Sequence, residues 1–304
     1  MSGLPKVVVV HPGQVVEQDA IDYPHFTGLP VAGLVRVLRN EGFFVHLLDA
    51  CCRPGASYSP LRGGKGLYGV PTAALLEPLQ DAEFDVAIVH FSPYHMRPVV
   101  DAGLQHLLAR LRKFRPEALI IGAELYAGGM HRVPADETFL SSRYPDLDHF
   151  VSLEAEESIP DLLAGDTEST DFLLKGRPIS AETLSMTGPP AWSPGQLENF
   201  QAFLQAISGM PKLAQYKIDG ETLPIYLSRG CPFNCSFCSN PYQDYRAVPL
   251  DVVLEWFDWS EEVGAQRLFV LDDAANVRPD FEDVLLAASK RNLTLEFPNG
   301  LRAD

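Results

Sequence analysis

Val7 to Val10 are four consecutive valines, a run with no polar face, so whatever strand they form must be buried on both sides. That happens when helices cover both faces of a parallel sheet. The pattern recurs through the first half of the chain. After KVVVVHP (Lys6 to Pro12) come FVHLLDA (Phe44 to Ala50), DVAIVHFSP (Asp85 to Pro93), ALIIGAELY (Ala118 to Tyr126) and HFVSLEAEE (His149 to Glu157). Between them lie stretches of helical spacing: Val31, Leu34, Val35 and Leu38 on one face, then Leu104, Leu107, Leu108 and Leu111. Five strands alternating with helices predict an α/β fold with a doubly wound, flavodoxin-like parallel sheet. Arg53 to Pro71, rich in Gly and Pro, reads as a loop.

The rhythm breaks after Gly165 and resumes at Thr222. Residues 166–221 contain TGPPAWSPG and one helical pattern from Leu197 to Ile207, and read as a linker packed between domains. From residue 222 the strand signals LPIYLSRG, RLFVLDD and LTLEFPNG alternate with helices at Leu250 to Val263 and around Phe281 to Ala288. That is the opening of a (β/α) barrel. The expected organisation is therefore 1–165, a Rossmann-like domain; 166–221, a linker; and 222–304, the first units of a partial barrel. A length of 304 residues allows two domains at roughly 150 each. A complete barrel takes roughly 30 residues per unit, so the stretch from Thr222 to Asp304 is expected to hold only the N-terminal part of one.

Composition narrows the function. A net charge of −16 without a Lys/Arg cluster argues against a nucleic-acid partner. No run approaches the ~20 apolar residues of a membrane span, and VVVV near the start is strand-sized, so a cytoplasmic protein is expected. The cysteine count is 5, an odd number that argues against a disulfide framework. Cys51 and Cys52, at a strand end, read as buried or reducible thiols. His11, His90 and His95, also at strand ends, read as hydrogen-bonded loop residues.

Cys231, Cys235 and Cys238 stand as CxxxCxxC in SRGCPFNCSFCSN, directly after a strand. Three thiolates on one tight loop can ligate three irons of a 4Fe–4S cluster, since thiolate is the ligand such clusters use. The fourth iron is left open, as a catalytic metal requires, and the amino and carboxylate groups of S-adenosyl-L-methionine can fill that position. A structural zinc knuckle would need a fourth ligand. All 8 histidines lie at or before His149, so none stands near the loop.

With this spacing, an aromatic residue before the third cysteine and the feeding strand, the segment resembles the radical S-adenosylmethionine (radical SAM) superfamily. The resemblance implies that the cysteines bind the cluster and that Phe237 lies near the adenine. Asp272 and Asp273, where the family more often has Gly-Gly-Glu, would meet the methionine moiety, with helix capping as the other reading of one Asp. Arg302 would meet a carboxylate.

HFTGLPVAGLVRVLRNEGFFVHLLDA, RPEALIIGA and YPDLDHFVSLEAEESIPDLL resemble, in that order, the cobalamin-binding domain of one branch of the superfamily. The resemblance implies a corrinoid at the carboxyl ends of the strands. Gly122, Gly128 and Gly129 would allow its tail close backbone approach. His25 is a further rim candidate. In DYPHFTG, however, Asp22 and His25 are one residue too far apart for the Asp-x-His-x-x-Gly of cobalt-ligating proteins, so no protein nitrogen is expected on cobalt.

Together these imply a cobalamin-dependent radical SAM enzyme, a methyltransferase acting on an unactivated centre through a 5′-deoxyadenosyl radical and methylcobalamin. The alternatives are a cyclase or oxidase without methyl transfer, or a non-catalytic cobalamin- and cluster-binding fragment. An external electron donor such as flavodoxin or ferredoxin and a small-molecule or peptide substrate would be its partners.

Overall fold

The computed structural model describes residues 4–18, 23–96, 98, 100–130, 132–165, 170–236, 238 and 244–303. Its first strand, β1 (Lys6–His11), is followed by β2 (Gln14–Glu17), α1 (Leu29–Asn40), β3 (Phe44–Asp49), β4 (Ser57–Pro60) and β5 (Lys65–Gly69). Next come α2 (Thr72–Leu76), β6 (Val86–His90), α3 (Ala102–Phe114), β7 (Leu119–Ala123), α4 (Glu137–Arg143), β8 (His149–Ser152), α5 (Ala155–Ala164) and β9 (Leu173–Lys175). The main sheet has the order β3-β1-β6-β7-β8-β9, all parallel. That is the flavodoxin-like order with one strand added.

β1 sits between β3 and β6, and Val7 to Val10 are at most 3% exposed, which is why the run carries no polar residue. Val7 and Val9 face α1, where Val31, Leu34, Val35 and Leu38 are buried as their spacing predicts. Val8 and Val10 face the opposite layer with Leu104, Leu107, Leu108 and Leu111 of α3. This second core continues without a break into the C-terminal half, through Phe200, Phe203, Ile225 and Phe269.

Two segments differ from the sequence reading. The Gly/Pro-rich stretch read as a loop forms β4 and β5, which join β2 in a small antiparallel sheet at the carboxyl end of the main one. Its hairpin turns on Gly63 and Gly64, both at positive φ, a conformation glycine adopts without strain. The main sheet also runs past residue 165, because β9 pairs with β8 at Phe150↔Leu173. β9 is three residues long, with Leu173 and Leu174 packed against the two cores, and is too short to leave a periodic signal.

The stretch between the halves carries α6 (Ala181–Ser185), α7 (Pro194–Ile207) and α8 (Pro211–Gln215). α7 begins as the sequence suggests: Pro194 occupies the first turn, and Ser193 and Gln196 form a reciprocal capping box. The C-terminal unit comprises β10 (Thr222–Ile225), β11 (Ser228–Arg229), β12 (Arg246–Ala247), α9 (Leu250–Glu262), β13 (Arg267–Val270), α10 (Phe281–Lys290) and β14 (Thr294–Glu296). β10, β13 and β14 form a parallel sheet in chain order, as the start of a β/α barrel would. Among the described residues no helix is long and apolar enough to cross a membrane.

Candidate functional site

The cysteine loop leaves the sheet after β10 and is closed at its base by the antiparallel pair β11–β12, with Ser228 opposite Ala247 and Arg229 opposite Arg246. Gly230, at φ 78°, makes the turn into Cys231. Cys231 and Cys235 are half-buried and Cys238 is exposed. The Cys238 N–H donates to the Cys235 carbonyl at 3.0 Å, which forms the tight turn between them. Burial raises the Cys231 pKa first; the Phe233 N–H hydrogen bond opposes this, and the nearby Asp273 and the other thiols add to it. The loop thus gathers three thiols near the surface over a rigid base. Phe237 lies outside the described residues.

That base is built from both halves of the chain. Arg229 is 3% exposed and donates to Glu156 Oε1 at 2.9 Å, while its guanidinium lies 5.0 Å from the centre of the Tyr126 ring. Tyr126 Oη accepts from the Gly230 N–H at 2.9 Å and donates to Asp273 at 2.7 Å. Burial, followed by the Asp273 charge, holds the Tyr126 pKa well above the usual phenol range, so the hydroxyl keeps its proton to donate. The next charged pair is Arg246 with Glu154, 2.8 Å between Nη2 and Oε1, across the same seam. Glu154 and Leu153 sit at φ 27° and 54°. Arg246 and the Ile179 N–H hold Glu154, and the Leu153 N–H donates to Glu124, so the surrounding bonds over-determine this strained turn.

The aspartates after β13 bond to other parts of the chain. Asp272 is buried and accepts from the Leu227 N–H at 2.8 Å and from the Ser228 hydroxyl, tying the end of β13 to the end of β10. Burial outweighs these bonds and pushes its pKa up to about 7. Asp273 accepts from the Gly129 N–H at 2.8 Å as well as from Tyr126, so it ties the two halves together. Neither side chain caps α10, whose N-cap is Asp280. Arg302 lies with its guanidinium 3.8 Å from the centre of the Phe233 ring, which brings it onto the cysteine loop.

At each of the three glycines expected to admit a cofactor tail, an added Cβ would meet the chain itself. A Cβ on Gly122 would stand 2.7 Å from Phe150, one on Gly128 2.7 Å from the Leu271 carbonyl, and one on Gly129 2.0 Å from Asn299. The first serves sheet packing; the other two let the seam close. His25 is 2% exposed, with its ring 4.3 Å from Phe26 and 6.2 Å from both Tyr23 and Tyr68, so it belongs to an aromatic cluster. Asp22 lies outside the described residues. His95 accepts from the Ser92 N–H at 3.1 Å, and burial lowers its pKa to about 4 despite Asp101 nearby. His90 is likewise held neutral by burial.

Residues that sequence reasoning missed are Tyr126, Glu154, Glu156, Arg229 and Arg246. Only Arg229 carried a signal, its place two residues before the first cysteine.

The donor set fits an iron–sulfur cluster: Cys231, Cys235 and Cys238, free of disulfides and on one loop, offer one thiolate to each of three irons.

Residues 225–302 match the Radical SAM superfamily. The whole fold is similar to the structure of the radical S-adenosylmethionine methyltransferase TsrM from Kitasatospora setae, solved with cobalamin and a [4Fe-4S] cluster bound. The TM-score is 0.57 at 16% identity, covering 95% of this chain and 55% of that one. This chain therefore spans about half the length of that enzyme. Over 26 residues it is 65% identical to the bacteriochlorophyllide d C-8(2)-methyltransferase of Chlorobaculum tepidum, a match covering 8% of this chain and 6% of that protein.

Proposed function

We propose that this chain is the cofactor-bearing part of a cobalamin-dependent radical SAM methyltransferase of the cytoplasm. The observation that carries the reading is the cysteine loop, with Cys231, Cys235 and Cys238 on a base braced by both the α/β domain and the first barrel strands. Held by Cys231, Cys235 and Cys238, a 4Fe–4S cluster would supply one-electron reduction of S-adenosylmethionine there. The chain's own part is positional. The β11–β12 ladder and Gly230 aim the first thiol, and Arg229 anchors the loop to Glu156 of the first domain. Arg302, stacked on Phe233, places a fixed positive charge beside the loop, where a carboxylate of the co-substrate would find it.

The likeness to a cobalamin-containing fold supports a corrinoid at the carboxyl rim of the main sheet. At that rim Phe26, His25 and Tyr126 are buried, and Phe26, Tyr126 and Tyr226 line a small pocket; no residue here is assigned to the corrinoid. An external one-electron donor and a small-molecule or peptide substrate complete the proposed system.

Anaerobic reconstitution followed by iron and sulfide analysis and Mössbauer spectroscopy tests the cluster. A 4Fe–4S signature lost in Cys235→Ala is expected; stoichiometric zinc at the loop without iron uptake would refute it. Corrinoid binding is tested separately by gel filtration and electron paramagnetic resonance of the Co(II) form. No nitrogen splitting is expected, and failure to retain any corrinoid would remove the cobalamin part of the reading.

A further inference from the structure

A second constellation of metal-ligating side chains lies away from the cysteine loop. His11 ends β1 and Asp49 ends β3, and the two are paired across the sheet. His11 Nδ1 is 2.8 Å from Asp49 Oδ1. Cys51 follows in the turn whose N-cap is Asp49, and its Sγ, one His11 ring nitrogen and one Asp49 oxygen all lie within 4.8 Å of one another. All three residues are at most 1% exposed.

His11 Nε2 lies 2.9 Å from the Thr27 hydroxyl, which also reaches the Pro24 carbonyl at 2.9 Å, and 3.4 Å from the Gln14 side-chain nitrogen. When the Thr27 proton goes to the Pro24 carbonyl, Nε2–H donates to the Thr27 oxygen and the Nδ1 lone pair faces the carboxylate, the arrangement a metal ion between the two would select. Asp49 Oδ2, on the other side, meets no nitrogen or oxygen donor among the described residues. Gly28 leaves room there: a Cβ would stand 2.5 Å from Oδ2 and 3.0 Å from His11 Nδ1.

We infer that His11, Asp49 and Cys51 form a buried transition-metal site, suited to zinc, that pins the carboxyl ends of β1 and β3 together. One imidazole, one carboxylate and one thiolate are borderline-soft ligands of the kind zinc takes. Thr27 is the outer hydrogen-bond partner that fixes the ligating tautomer. Cys52 is equally buried in the same turn but lies outside the group of three. Loading occurs during folding, because the assembled site has no solvent exposure, and the metal then adds to fold stability.

The test uses the full chain with C231A, C235A and C238A, so that the loop cannot hold metal. Purified from zinc-supplemented cells and dialysed, it is expected to keep about one zinc per chain. X-ray absorption should show sulfur at ~2.3 Å together with nitrogen or oxygen at ~2.0 Å. Adding Asp49→Asn or Cys51→Ala should lower the zinc content at least tenfold. The idea is overturned if the background protein neither retains nor takes up zinc, which would make the His11–Asp49 contact a proton-sharing pair. A shell without sulfur, or equal zinc in the background and both variants, would overturn it too. The absorption spectrum of the background protein decides the matter even if a variant does not fold.

Discussion

Replacing Arg229 with Met would remove one partner of the most buried ion pair on the seam and leave the Glu156 carboxylate in a site that is 0% exposed. Breaking a buried pair from one side destabilises by about 3–5 kcal/mol, because the remaining charge loses its compensation. Loss of the guanidinium over Tyr126 adds on the order of 1 kcal/mol. With urea m-values of ~3 kcal/mol/M for a chain of this size, the unfolding midpoint should fall by roughly 1.3–2 M at neutral pH. The loss has a pH signature. Glu156 already has a raised pKa, through burial first, with Arg229 the main opposing influence. Without Arg229 it rises further, and a carboxyl raised in the folded state is penalised fully above its folded pKa and relieved as pH falls through it. The gap between R229M and the parent protein should therefore narrow as pH falls from neutral toward the ordinary carboxylate range. The double variant R229M/E156L should recover most of the loss, since an apolar pair of similar volume satisfies the same space. Urea unfolding followed by tryptophan fluorescence measures all three. A midpoint within 0.2 M of the parent protein, a gap independent of pH, or a double variant as weak as the single one would refute the reasoning.

Asp272→Asn should flatten the pH dependence of stability. With a folded pKa of about 7, Asp272 makes the native state hold a proton that the unfolded chain releases, so stability declines from about pH 4 to pH 7 in the parent protein and should decline less in the variant. His90 and His95 act in the opposite direction. Their lowered pKa values mean stability is full above about pH 6.5 and falls as pH drops below it, and His95→Gln should make that fall shallower in acid-unfolding scans. Gly128→Ala would drive a Cβ into the Leu271 carbonyl and should destabilise by about 1–3 kcal/mol, with faster hydrogen exchange at the seam.

The main sheet was legible because its signals are local. A valine run without a polar face can satisfy itself only between two helical layers, and the Val31 and Leu104 stripes supply those layers at a fixed period. The cysteine loop was legible for the same reason: three thiols within eight residues lie together whatever surrounds them. The hairpin of β4 and β5 and the edge strand β9 were not, because Gly-rich and three-residue strands are placed by pairing to distant partners. Nor could sequence foresee what Asp272, Asp273 and the glycines would do. The aspartates sit at the strand end where a cofactor contact was expected, yet Asp273 meets Tyr126, 147 positions earlier in the chain, and Gly128 meets the Leu271 carbonyl. An ionisable or small residue declares only what it can bind. Whether its partner is a cofactor or another part of the chain depends on which surfaces the fold brings within 3 Å, and that is settled by the packing of the two halves.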